Sequence, residues 1–86
     1  MNIMEIENRL NYLHHCVLEE GQTINESSLN SFRAFVEWGD KHGNFLSEPT
    51  ISLTPDNEIY ATWQQVKKHC FRFHADGSIK YVVVDL

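Results

Sequence analysis

Cysteine, proline and glycine are all scarce in this chain: two, two and four in 86 residues. Cys16 and Cys70 are too few and too far apart for a disulfide framework, and no C-x-x-C occurs. Both thiols are therefore expected to be reduced, with the cytoplasm as the default compartment. No apolar run approaches the roughly 20 residues that a membrane span needs. Residues 1–7 lack the basic n-region and uninterrupted apolar core of a signal peptide. Basic residues are also few. Seven Lys and Arg stand against twelve Asp and Glu, for a formal net charge of -5, and no basic cluster offers a sequence-independent nucleic-acid footprint. The phosphate-cradling and nucleophile-elbow motifs, P-loop, G-x-G-x-x-G and G-x-S-x-G, are absent.

What is present reads as one small domain. With 42% hydrophobic and 22% charged residues the composition is that of a folded protein rather than a disordered one. A chain of this length buries only about 60–65% of its unfolded surface. The acidity is uneven: residues 1–48 hold eight acids against three bases, whereas residues 49–86 balance four against four. A solvated acidic face on the helical half is the simpler account of that imbalance, with a basic partner as the alternative.

Residues 49–85 carry the organisation. They read as two hairpins, Thr50-Ile51-Ser52-Leu53-Thr54 returning as Glu58-Ile59-Tyr60-Ala61-Thr62-Trp63, and residues 68–74 returning as residues 78–84. The connecting triplets are Pro55-Asp56-Asn57 and Ala75-Asp76-Gly77. Their third positions, Asn57 and Gly77, suit a left-handed conformation, as a three-residue loop with a bulge requires. That loop length pairs Thr54 with Glu58 and His74 with Ser78. Leu53 then opposes Ile59, Ile51 opposes Ala61, Phe73 opposes Ile79, Phe71 opposes Tyr81 and His69 opposes Val83. Trp63, Phe71, Phe73 and Tyr81 fall on the face expected to be the core.

Ahead of the hairpins, Ile3, Ile6, Leu10, Leu13 and Val17 recur at helical spacing, and Gly21 is a natural stop. A second helix is expected from about Asn25, with Thr23 as a competing cap. Its buried face is Leu29, Phe32, Phe35 and Val36, Trp38 closes its end, and Gly39 or Gly43 terminates it. Residues 40–48 are expected as an ordered loop anchored by Phe45 and Leu46. The fold class is thus α+β, two N-terminal helices packed on one face of a four-stranded antiparallel meander.

Candidate chemistry is thin. His14, His15 and Cys16 share a helix, and His69, Cys70 and His74 share a strand, but neither set converges as the four ligands of a zinc site must. No metal and no cofactor is expected, and His69 reads as a hydrogen-bonded histidine at the core margin. Neither cysteine has a basic surrounding that would activate it. The outward side of the second hairpin is more informative. An outward face should be polar, as Thr50, Ser52 and Thr54 are, yet Tyr60, Cys70, Val82 and Val84 lie together there beside Arg72. These five, Tyr60, Cys70, Arg72, Val82 and Val84, are the candidate partner-binding residues, unless the first helix wraps round and covers them. The last strand also reads as an unprotected sheet edge.

Pro49-x-Ile51, Asp56-Asn57-Glu58-Ile59, Trp63 and Phe71-x-Phe73-x-x-Asp76-Gly77-x-x-x-Tyr81 together resemble a family of uncharacterised small bacterial proteins. The likeness spans residues 25–85. It implies an α+β fold and brings no catalytic residues. In this chain Asn57 stands where that pattern carries glycine, and the glycine- and proline-rich entry before the helix is missing.

The expected function is that of a small acidic non-enzymatic protein acting by protein–protein contact, an inhibitor, antitoxin or immunity-like factor of mobile-element type. Two alternatives are a small nucleic-acid-associated regulator and a metal-binding or hydrolytic protein. The expected partner is another protein, with a homodimer through the C-terminal edge strand or the first helix as a further option.

Overall fold

The computed structural model describes residues 2–43, 48–64 and 66–85. Helices α1 (Ile3–Leu18) and α2 (Glu26–His42) precede strands β1 (Thr50–Leu53), β2 (Ile59–Gln64), β3 (Lys68–Phe73) and β4 (Ile79–Val84). The strands form one antiparallel sheet in the order β1-β2-β3-β4, and both helices pack on the same face of it. This is the α+β arrangement expected from the sequence.

Both helix starts are set by asparagine. The Asn2 side chain accepts from the backbone N–H groups of Met4 and Glu5, and the Asn25 side chain from that of Ser28, each satisfying donors that the first turn leaves open. Asn25, not Thr23, is therefore the cap of α2. At the other end Gly43, at φ 65°, caps the helix, so residues 40–42 are helical rather than part of the expected loop. Gly39 is buried inside α2. Phe45 and Leu46 lie outside the described residues.

The core gathers Ile6, Leu10 and Leu13 of α1, Ile24 of the connection, Phe32 and Val36 of α2, and Ile51, Ile59, Ala61, Trp63 and Phe73 of the sheet. Phe35 fits among the sheet aromatics, 4.8 Å from Phe71, 5.5 Å from Phe73 and 5.8 Å from Trp63 between ring centroids. Ser28 is the polar exception. Fully buried, its hydroxyl accepts from the Ile59 N–H at 2.7 Å and donates to the Phe73 carbonyl at 2.5 Å. It closes the end of the β2–β3 ladder where those groups would otherwise be unsatisfied.

The two hairpins have the expected construction. The Thr54 N–H donates to the Glu58 carbonyl and the His74 N–H to the Ser78 carbonyl, each at 2.9 Å. Asn57 and Gly77 are left-handed, at φ 60° and 89°. Every strand pairing stated above holds.

Four expectations about burial fail, three of them, for Tyr81, Phe71 and Trp38, for one reason. α1 rests against β1 and α2 against β2 and β3, so the helical layer is displaced toward the β1 side of the sheet. Tyr81 is on the helix-side face as expected but is 50% exposed, and Phe71 is only half-buried. Trp38, 52% exposed, does not close the core. Ile3 is also outside the core, at the rim of a shallow groove between the helices.

The two sheet edges differ as a result. The 54–58 pair is hydrogen-bonded, and antiparallel ladders alternate, so the amide and carbonyl of Ile51 point out of the β1 edge. Arg9 of α1 reaches that edge, its Nε donating to the Ile51 carbonyl at 3.1 Å. The same alternation from the 74–78 pair turns the amides and carbonyls of Ile79, Tyr81 and Val83 out of the β4 edge. Among the described residues, no backbone hydrogen bond from a turn, loop or cap reaches them.

Candidate protein-binding face

β2, β3 and β4 present Tyr60, Cys70, Arg72, Lys80, Val82 and Val84 on the side of the sheet away from the helices, because side chains alternate along each strand. Register places Tyr60 opposite Arg72, Thr62 opposite Cys70, and Cys70 opposite Val82. The structure thus brings all five sequence-predicted residues together. They line one groove of about 310 Å³ with His74 and Lys80, two residues that sequence reasoning left out. α1 does not wrap to this side, since Ile6, Leu10 and Leu13 face the opposite surface of the sheet. Cys70 needs a correction. It is only 7% exposed, lying beneath its neighbours as the floor of the groove rather than on its surface.

The groove is apolar at its base and polar at its rim. Val82 and Val84 remain 45% and 43% exposed. Arg72, Lys80 and His74 stand along the rim. The phenol of Tyr60 is pushed above its ordinary range by the Cys70 thiol beside it and by partial burial, so it stays a neutral hydroxyl at physiological pH.

Arg72 is fixed in place by a residue that the sequence did not single out. Glu58, nearly buried, accepts from Arg72 Nη2 at 2.8 Å and Nε at 3.1 Å, and from the Ala75 backbone N–H at 2.6 Å. Asp56 adds a longer contact to Arg72 at 3.5 Å, and His74 Nδ1 lies 3.7 Å from Glu58. The Arg72 guanidinium first, then the Ala75 N–H, hold the Glu58 carboxyl below its ordinary range. This cluster ties the tip of the first hairpin to that of the second. A signal was available: Glu58 and Arg72 fall on the same face of adjacent strands, one step off register, where opposite charges meet.

The histidine and cysteine groups stay apart. His69 is half-buried, its Nδ1 2.6 Å from the Tyr81 hydroxyl, as suits a histidine at the core margin. His15 and Cys16 are exposed on α1. Among the described residues no three His, Cys, Asp or Glu side chains are placed to hold one metal ion. No described helix is long and apolar enough to cross a membrane.

Compared with protein-family models, curated proteins and solved structures, the chain matches none of them.

Proposed function

We propose that this protein works by protein–protein contact, with the groove on the outer face of β2–β4 as its docking surface. One observation carries the reading: on a sheet face open to solvent, Cys70, Val82 and Val84 form an apolar floor where polar residues are the rule. The rim defines the partner's chemistry. Beside that floor stand Lys80 and the Arg72 guanidinium, the latter already paired with Glu58 and Asp56, so the complementary surface offers an apolar side chain with an acceptor or carboxylate placed for Lys80. Arg72, pre-positioned by Glu58, presents its guanidinium with little rotamer freedom left to lose on binding. Small size and acidity fit an inhibitor, antitoxin or immunity-like factor better than an enzyme.

The test is affinity capture from the native host with the wild-type chain and with Val82→Lys, after near-ultraviolet circular dichroism has established that the variant is folded. A protein recovered by the wild type and lost with Val82→Lys is the expected result. Recovery of nucleic acid, or of the same protein by both chains, contradicts the reading.

A further inference from the structure

We infer that the β4 edge is a self-association surface, on which a second copy of this chain adds its own β4 in antiparallel fashion to give a continuous eight-stranded sheet. The inference does not require the outer-face groove to dock a partner, because it rests on the outward backbone groups of β4 and on the apolar side chains of both its faces.

The first support is the contrast between the edges. β1 has its outward Ile51 carbonyl engaged by Arg9, whereas among the described residues no backbone hydrogen bond from a turn, loop or cap reaches the outward groups of Ile79, Tyr81 and Val83 on β4. β4 also lacks the usual guards of an edge, with no proline, no bulge and no inward-pointing charge within the strand. The second support is that both faces of β4 are apolar and open. Ile79, Tyr81 and Val83 on one side and Val82 and Val84 on the other are each 42–50% exposed. A strand that is apolar on both faces belongs in the interior of a sheet, not at its margin.

Charge favours a second copy over a strand of opposite charge. The one charged residue within β4 is Lys80. A two-fold pairing centred on Tyr81 sets Lys80 opposite Val82 of the second copy, and one centred on Val82 sets it opposite Val84, so neither register opposes lysine to lysine. At the base of the hairpin Asp85 pairs with Lys67 at 3.1 Å in an exposed contact, and Asp76 lies in the turn ahead of the strand. The helical acids lie elsewhere: α1 sits against β1, and Glu26, Glu37 and Asp40 of α2 are at least about 100° round the helix from Trp38, which marks the flank of α2 away from α1. Two copies of net charge -5 therefore meet along their least acidic margin.

Area sets the strength. Covering these side chains together with Trp38 removes on the order of 500 Å² per copy, roughly 1,000 Å² in all, which is the low end for a specific interface. The association is accordingly weak and reversible.

Sedimentation equilibrium of the purified chain, from micromolar to millimolar, reads this directly. The expected result is a weight-average mass that doubles across the range. Val83→Pro deletes one outward N–H and leaves the β3–β4 ladder intact, and should weaken association at least tenfold. Val83→Lys, which places an inward charge at the edge, should do the same and covers the case in which proline unfolds the strand. Amide exchange gives an independent readout: Tyr81 and Val83 should slow as concentration rises. A wild type that remains monomeric at millimolar concentration overturns the inference and leaves the outer-face groove untouched. So does a dimer that both folded variants form as readily as the wild type.

Discussion

Replacing Ser28 with alanine should be among the most damaging single-atom changes in this fold. The hydroxyl is fully buried and serves two backbone groups, the Ile59 N–H and the Phe73 carbonyl, whose own residues are also fully buried. Its loss leaves one donor and one acceptor without partners where water does not reach. Each such group costs about 1–3 kcal/mol, so the pair should cost about 2–4 kcal/mol, moderated by any water that enters. A domain of this size has a total stability of only about 5–10 kcal/mol. With a urea dependence of about 1–1.5 kcal/mol per molar, the unfolding midpoint should fall by about 2 M. Tryptophan fluorescence in a urea titration measures this, since Trp63 is buried in the same core. Ser27→Ala, one residue earlier on the exposed side of α2, is the control and should shift stability by less than about 0.5 kcal/mol. A Ser28→Ala midpoint that matches the Ser27→Ala control would refute the bridging role.

The Glu58 carboxyl is held below its ordinary value of 4.5, so its contribution is fully present above that value and is lost as pH falls through the depressed one. The melting temperature of the wild type should therefore drop more steeply than that of Glu58→Gln between about pH 5 and pH 3, with depressed Asp76 giving both proteins a shared background. Phe73→Ala, at a fully buried site, should cost about 3–5 kcal/mol, whereas half-buried Phe71→Ala should cost about 2 kcal/mol less, and equal losses in urea titrations would contradict the displaced helical layer. Gly77→Ala meets no neighbour and should cost about 1–2 kcal/mol from its left-handed backbone alone. Asn57→Gly should stay within about 0.5 kcal/mol, because relief of backbone strain is offset by loss of the exposed hydrogen bond from Asn57 Nδ2 to Gln22 Oε1; a larger change in calorimetry would show that the bond dominates.

The hairpins were legible because their information is local. Turn chemistry at Asn57 and Gly77 determines loop length, loop length determines register, and register assigns every side chain to a face. The candidate groove followed from the same count, which is why its five predicted residues occur together. What was not legible depended on where the helices sit. Helical periodicity identifies the buried stripe of α1 but not that it lies against β1, so the sequence offered no means of knowing that Tyr81 and Trp38 are exposed. Ser28 was invisible for a related reason: a serine in a first helical turn reads as a polar surface residue until the ends of β2 and β3 arrive beside it. Glu58 lies between these cases. Its pairing with Arg72 was implied by register, but its capture of the Ala75 N–H requires the two turns to meet at one end of the sheet.

Site-specific photocrosslinking in the native host shows whether the outer face of β2–β4 docks another protein. A photoreactive residue replaces Val82 in the groove, or Thr50, which is exposed on the same sheet face at its far side. A discrete adduct between the Val82 variant and a different polypeptide is expected, with none from the Thr50 variant. Adducts of equal yield from both positions, adducts to nucleic acid, or none from Val82 would contradict it.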